Sequence, residues 1–237
     1  MLSGLEIKRQ VELGNIVISN FNEKQLNPNS YNIKLGKRLK VYTKAITPSN
    51  VIEDEMAAEM QEYEQKHSEL LNELFYKQEE ELSDELSEKA TNFMREYTRK
   101  SEEVRTKVIR KYALDPKQDN ETEDFEIPEE GYVLLPGILY LGETEEYTET
   151  YGFIPNIDGR SSTGRLGIEI HRTAGFGDVG FRGKWTLEIT VTHPVVVYAG
   201  MEIGQLYYET VDGDASMEYN GKYQDQQGVQ AAKVDRE

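Results

Sequence analysis

The segment Gly159–Ile189, GRSSTGRLGIEIHRTAGFGDVGFRGKWTLEI, carries the densest set of groups able to do chemistry. Arg160, Arg165, Arg172 and Arg182 stand among Ser161, Ser162, Thr163 and several glycines. Glycine lets a backbone come close to a ligand. Hydroxyls, amide N–H groups and guanidinium forks are the donors that phosphate oxygens accept from. The composition fits a polyanion pocket on a β framework. It also fits a glycine-rich turn bordered by surface arginines. It is not a Walker A loop, because GxxxxGK[ST] is absent. Further on, TLEIT puts Leu187 and Ile189 on one face of a strand and Thr186, Glu188 and Thr190 on the other. That alternation leaves open whether Glu188 faces water or a pocket.

The elements that position these groups are short strands and turns. Tyr132–Leu135, Ile138–Leu141, Thr186–Val191 and Val195–Tyr198 read as strands, punctuated by Gly137, Gly142, Gly152, Gly183 and Gly200. This is the pattern of an all-β barrel or jelly-roll-like domain. Upstream, Leu5–Leu13 reads as a short helix and Ile16–Ile18 as a strand. In LNPNSYNIKLG, Leu26–Gly36, a turn leads into a strand in which Tyr31, Ile33 and Leu35 alternate with Asn32 and Lys34.

Val51–Leu114 differs: it has no Gly and no Pro and is rich in Glu and Lys. Met56, Met60, Tyr63, His67, Leu70 and Leu74 are spaced 4, 3, 4, 3, 4. Leu82, Leu86, Ala90, Phe93, Tyr97, Val104 and Val108 continue the stripe with altered phase, a coiled-coil-like pattern. One helix of that length would span ~95 Å at the standard rise. An antiparallel helical hairpin is predicted instead, turning near Gln78–Asp84. His67 is expected to pack rather than ligate. The predicted division is therefore 1–50 and 116–212 as two parts of one β domain, 51–115 as an inserted arm, and 213–237 as a mobile lid.

Composition bounds the function. The chain has 237 residues, 37% hydrophobic, enough for a core. No apolar run approaches the ~18 residues of a membrane span. MLSGLEIKRQ lacks the layout of a signal peptide. Cysteine is absent, which excludes disulfides and thiolate metal sites and fits a reducing cytoplasm. A net charge of -17 argues against nucleic-acid partners, though a local basic pocket can still hold a mononucleotide.

GRSSTGRLGI, HRTAGFGDVGF and TLEI, in this order, closely resemble the dCTP deaminase family, which is related to the trimeric dUTPases. LNPNSYNIKLG is similar to its N-terminal PxSxDxxLG segment, GYVLLPGILYLGETEEY to its strand leading into the site, YAGMEIGQLYY to its PGMxIGQL strand, and KYQDQQG to its KYxxQxG tail. The resemblance covers everything outside the insertion at about 51–124. It implies a mainly β, dUTPase-like distorted barrel or jelly roll with an inserted helical hairpin.

It also implies roles. Glu188 matches the proton shuttle of hydrolytic deamination, with Ser161 and Arg165 flanking the water. One carboxylate can take a proton from water attacking C4 of cytosine and pass it to departing ammonia. A zinc deaminase would need an HxE and PCxxC signature, whereas this chain has no cysteine and only His67, His171 and His193. Arg160 and Ser162 match phosphate contacts, and Lys222 and Gln226 would reach over from the tail. Thr163, Gly164, Thr186, Leu187, Gln205 and Tyr219 match further nucleotide-contacting positions. Asp178 matches the aspartate that binds the 3′-hydroxyl and, in dUTPases, positions the attacking water. The backbone of Arg172, Thr173 and Ala174 would read the pyrimidine edge. Mg²⁺ is expected on the triphosphate rather than on protein ligands, and a homotrimer with sites at subunit interfaces is implied.

Two features qualify this. Asn32 stands where the family usually has Asp, which would weaken an arginine pairing by removing a charge. Phe176, in TAGF, follows the sub-branch that both deaminates dCTP and hydrolyses the dUTP to dUMP; single-function deaminases more often carry TAHR. The expectation is therefore a bifunctional enzyme. The alternatives are a deaminase giving dUTP, a pure dUTPase, or a regulatory protein with a vestigial site, whose helical arm contacts another protein.

Overall fold

The computed structural model describes residues 1–76 and 84–234. The chain divides into two units, residues 1–43 with 115–237, and residues 44–114.

The first unit is mainly β. It opens on α1 (Gly4–Glu12), whose Ser3 accepts a cap hydrogen bond from the Glu6 N–H. The strands among the described residues are β1 (Ile16–Ile18), β2 (Tyr31–Tyr42), β3 (Thr122–Glu126), β4 (Tyr132–Leu134), β5 (Tyr140–Thr150), β6 (Phe153–Gly159), β7 (Ile168–Glu169), β8 (Arg182–Val191), β9 (Val195–Val197) and β10 (Glu202–Thr210). The main sheet runs β6-β10-β2-β5-β8-β7, with β1 added to β5 and β3 to β2. β4 and β9 form a separate two-stranded ribbon.

The sheet nearly closes. After β7 the chain returns to β6, where Ile157 N–H donates to Gly175 O and Gly177 N–H to Pro155 O. The glycines permit this approach. A Cβ on Gly175 would lie 2.7 Å from Ile157 O, and one on Gly177 2.6 Å from Trp185 Cη2. Inside, Ile33, Leu35, Leu39, Leu187, Ile189 and Leu206 are buried. Burying each such side chain contributes roughly 1.5–3 kcal/mol. The expected strand at Ile138–Leu141 is longer and begins later, at Tyr140, because β5 must pair with both β2 and β8.

In the second unit, α2 (Ser49–Lys66) and α3 (Ser68–Tyr76) precede α4 (Asp84–Tyr112). The stripe does not form one continuous helix up to Leu74: His67 leaves helical geometry at φ -113 and ψ 15, and a new helix starts at Ser68. α2 and α4 run antiparallel. Lys111 pairs with Glu55 and Lys107 with Glu59, each at 2.8 Å, and Tyr97 Oη donates to Glu64. Met60, Val104 and Val108 are buried between the two helices. His67 packs against Tyr63 and Phe93. The predicted turn near 78–84 lies outside the described residues but for its last. No helix among the described residues is long and apolar enough to cross a membrane.

Candidate active site

β8 sets the site. Its alternation buries Gly183, Trp185, Leu187, Ile189 and Val191 and leaves Lys184, Thr186, Glu188 and Thr190 half-buried on the opposite face. Glu188 faces a hollow. It lines a cavity of about 440 Å³ together with Ala174, Asp178, Thr186, Tyr219 and Gln226. The backbone N–H of Arg172 donates to Glu188 Oε2 at 2.7 Å, while Glu188 N–H donates to Ile170 O. The carboxylate is therefore oriented by the same turn that closes the sheet.

The tail forms one wall. It packs along β8. Asp225 N–H donates to Arg182 O and Lys184 N–H to Gln226 O. Gln226 is buried, and its Nε2 donates to Lys184 O. Gln230 N–H donates to Thr186 Oγ1 and Ala232 N–H to Tyr42 Oη. Tyr223, Gln230, Ala231 and Ala232 thus border the Glu188 cavity. Tyr42, Trp185 and Leu141 border it too, and none was singled out from sequence. Nothing local marks Tyr42, because its partner is 190 positions away.

A second cavity, about 480 Å³, is lined by Asp158, Arg160, Ser161, Gly164, Glu169 and Arg172, among others. Arg172 links the two, lining this cavity while its N–H holds Glu188 in the other. Arg172 Nη1 also donates to Glu169 Oε2 at 3.2 Å. Ser161 to Gly164 form the short turn α5, followed by Arg165. Ser162, Arg165 and Thr173 are exposed and line neither cavity. Phe176 is 62% exposed at the rim of the first.

Several of the expected contact residues also hold the fold together. Leu187 is 1% exposed, so its side chain belongs to the core and only its backbone is left for a ligand. Thr163 is buried; its hydroxyl accepts from Arg160 N–H and lies within hydrogen-bond reach of Arg160 O and Ile203 O, which share its one proton, fastening α5 to β10. Gln205 donates to Gly159 O and accepts from Ser30 Oγ. Lys222 Nζ donates to Lys233 O and lies over the Tyr223 ring. Asn32 does not leave Arg160 without a carboxylate: Glu202, from β10, pairs with Arg160 at 2.8 Å. Glu202 was missed from sequence, although the missing aspartate at 32 invited a search for a substitute.

The nearly closed β framework thus sets an oriented carboxylate in one hollow and arginine with hydroxyls in the next. A sequence model of the family described as dCTP deaminase-like matches residues 1–76 and 95–211, and the chain belongs to that family. A relative from Clostridium acetobutylicum, named dCTP deaminase, dUMP-forming, is 40% identical over 230 residues, 97% of this chain and 94% of its own. One of the same name from Leptospira biflexa is 55% identical over 123 residues, 52% of this chain and 71% of its own. Among solved structures, the 2′-deoxycytidine 5′-triphosphate deaminase from Agrobacterium tumefaciens aligns with TM-score 0.49 at 14% identity. That alignment covers 89% of this chain and 47% of the other, so this chain spans about half its length. EIAV dUTPase aligns with TM-score 0.32 over 40% of this chain.

Proposed function

We propose that this chain deaminates dCTP hydrolytically and then hydrolyses the dUTP to dUMP and pyrophosphate. The relatives from Clostridium acetobutylicum and Leptospira biflexa, matched over 97% and 52% of this chain, carry the name dCTP deaminase, dUMP-forming. The observation that carries the reading is Glu188, turned into a cavity and held there by the Arg172 N–H.

In the first step Glu188 takes a proton from water as its oxygen adds to C4 of the cytosine ring. The carboxyl then returns the proton to the departing amino group, which leaves as ammonia. Ser161 and Arg165 hold that water. The backbone at Arg172, Thr173 and Ala174 meets the base edge, Asp178 takes the 3′-hydroxyl, and Arg160 and Ser162 take phosphate oxygens. In the second step a water positioned by Asp178 attacks the α-phosphorus, and pyrophosphate leaves.

The carboxylates around the arginine cavity are engaged, Glu202 with Arg160, Glu169 with Arg172 and Asp158 near His171. That donor set fits Mg²⁺ carried on the nucleotide's own phosphates. There it offsets phosphate charge. The homotrimer implied by the resemblance to the dUTPases would let Arg165 and Ser161, which are exposed and lie away from the Glu188 cavity, serve the site of a neighbouring subunit. A cytoplasmic location goes with this substrate.

Purified protein given dCTP or dUTP with Mg²⁺ is followed for ammonia, dUTP, dUMP and pyrophosphate. Ammonia and dUMP from dCTP are expected. Pyrophosphate from dUTP with no ammonia from dCTP would leave a dUTPase, and dUTP accumulating from dCTP would leave a single-function deaminase. Solution mass tests the trimer.

A further inference from the structure

Arg160 is gripped from one side by a network that runs across β2 and β10. Its Nη2 lies 2.8 Å from Glu202 Oε2, and its Nη1 donates to the Glu202 backbone carbonyl at 3.1 Å. Glu202 Oε2 also accepts from Asn32 Nδ2 at 2.9 Å. Asn32 Oδ1 in turn accepts from Asn27 Nδ2 at 2.7 Å. Asn32 is buried, and the side chains of Arg160 and Glu202 are 28% and 32% exposed. A bulge between Glu202 and Gly204 shifts the register against β2 beside this pair.

The donors and acceptors of this chain run one way. Asn27 gives to Asn32, Asn32 gives to Glu202, and Glu202 also receives Arg160. There is room for one negative charge. A carboxylate at position 32 would face Glu202 across a hydrogen-bond distance with a single guanidinium to share, and would turn a donor contact into repulsion. A half-buried, two-point arginine pair fixes direction as well as charge.

We infer that Glu202 is a positioning residue that aims Arg160 at the substrate phosphates, and that the amide at Asn32 is required because Glu202 holds the network's single charge. This rests on the phosphate role given to Arg160 above. The placement of the carboxylate on β10 rather than β2 is then interchangeable, provided that only one of the two positions carries it.

The experiment compares Glu202→Gln, Asn32→Asp, the double variant and Arg160→Ala, measuring KM and kcat for dCTP and the thermal midpoint. Glu202→Gln is expected to raise KM roughly tenfold, the loss of one charge-assisted contact. Its kcat and midpoint should stay near wild type, because the contact serves binding. Asn32→Asp alone should also raise KM, through repulsion. The double variant should recover KM to within about threefold of wild type, because the two sites are coupled. Wild-type KM in Glu202→Gln, or a double variant no better than either single, would overturn the inference. If Arg160→Ala raises KM while Glu202→Gln does not, the inference falls and the phosphate role of Arg160 stands. If Arg160→Ala leaves KM unchanged, the phosphate role falls and the inference with it.

Discussion

The backbone N–H of Arg172 donates a 2.7 Å hydrogen bond to Oε2 of Glu188. A main-chain donor cannot swing away as a side chain can, so the carboxylate is held in one orientation by the turn that closes the sheet. The same turn presents Ala174, Phe176 and Asp178 to the cavity. Orientation of the proton carrier and shape of the base pocket thus have one origin, the packing of residues 170–178 between β8 and β6.

That dependence makes Gly177 a sensitive position. A Cβ there would meet Trp185 Cη2 at 2.6 Å and Pro155 O at 3.0 Å. Both are constrained, Trp185 by hydrogen bonds to Thr144 and Thr148 in the core. Gly177→Ala is expected to cost about 1–3 kcal/mol of stability, typical of overpacking. It should also raise KM for dCTP, because Asp178 and Ala174 shift. Denaturant unfolding and steady-state kinetics check both.

The docked tail predicts a paired kinetic effect. Removing residues 213–237 strips one wall from the Glu188 cavity and opens it to water. KM should rise and kcat fall together. Tyr42→Phe, which removes only the acceptor for Ala232 N–H, should do the same to a smaller degree. A truncated protein with wild-type kinetics would show that the tail is not a lid.

Burial pushes the Glu146 carboxyl above its ordinary 4.5, against the downward pull of hydrogen bonds from Lys34 N–H and Gln25 Nε2. The folded chain therefore holds this proton more tightly than the unfolded chain. Its contribution is complete below the ordinary carboxylate value and is lost as pH rises through the raised one. Wild-type stability should fall across that window more steeply than that of Glu146→Gln. Equal slopes in unfolding experiments run from pH 4 upward would contradict this.

The arm should be dispensable for chemistry. Its two ends meet, with Lys44 Nζ donating to Ala113 O, and its core of Met60, Val104 and Val108 is its own. Replacing residues 45–113 with a short linker is expected to preserve ammonia release from dCTP. Loss of activity in a folded variant would assign the arm a role in turnover.

Much of this was legible from local pattern. The alternation around Glu188 foretells β8 because a strand at a core surface repeats every two residues. The heptad-like stripe foretells the pairing of α2 with α4 for the analogous reason. What was not legible depends on partners far apart in the chain or on backbone detail. Motif position alone does not show that Thr163 ties α5 to β10 or that Gln205 bonds to Gly159 and Ser30. The break at His67 carries no Gly or Pro to announce it. Glu202 became visible only when its carboxylate was found between Asn32 and Arg160.

The most direct test of the account is the rate of ammonia release from dCTP by Glu188→Gln. Glutamine keeps the size of the side chain and an oxygen for the Arg172 N–H but cannot carry a proton. The account predicts loss of deamination with dCTP affinity largely retained. Ammonia release at the wild-type rate would contradict it.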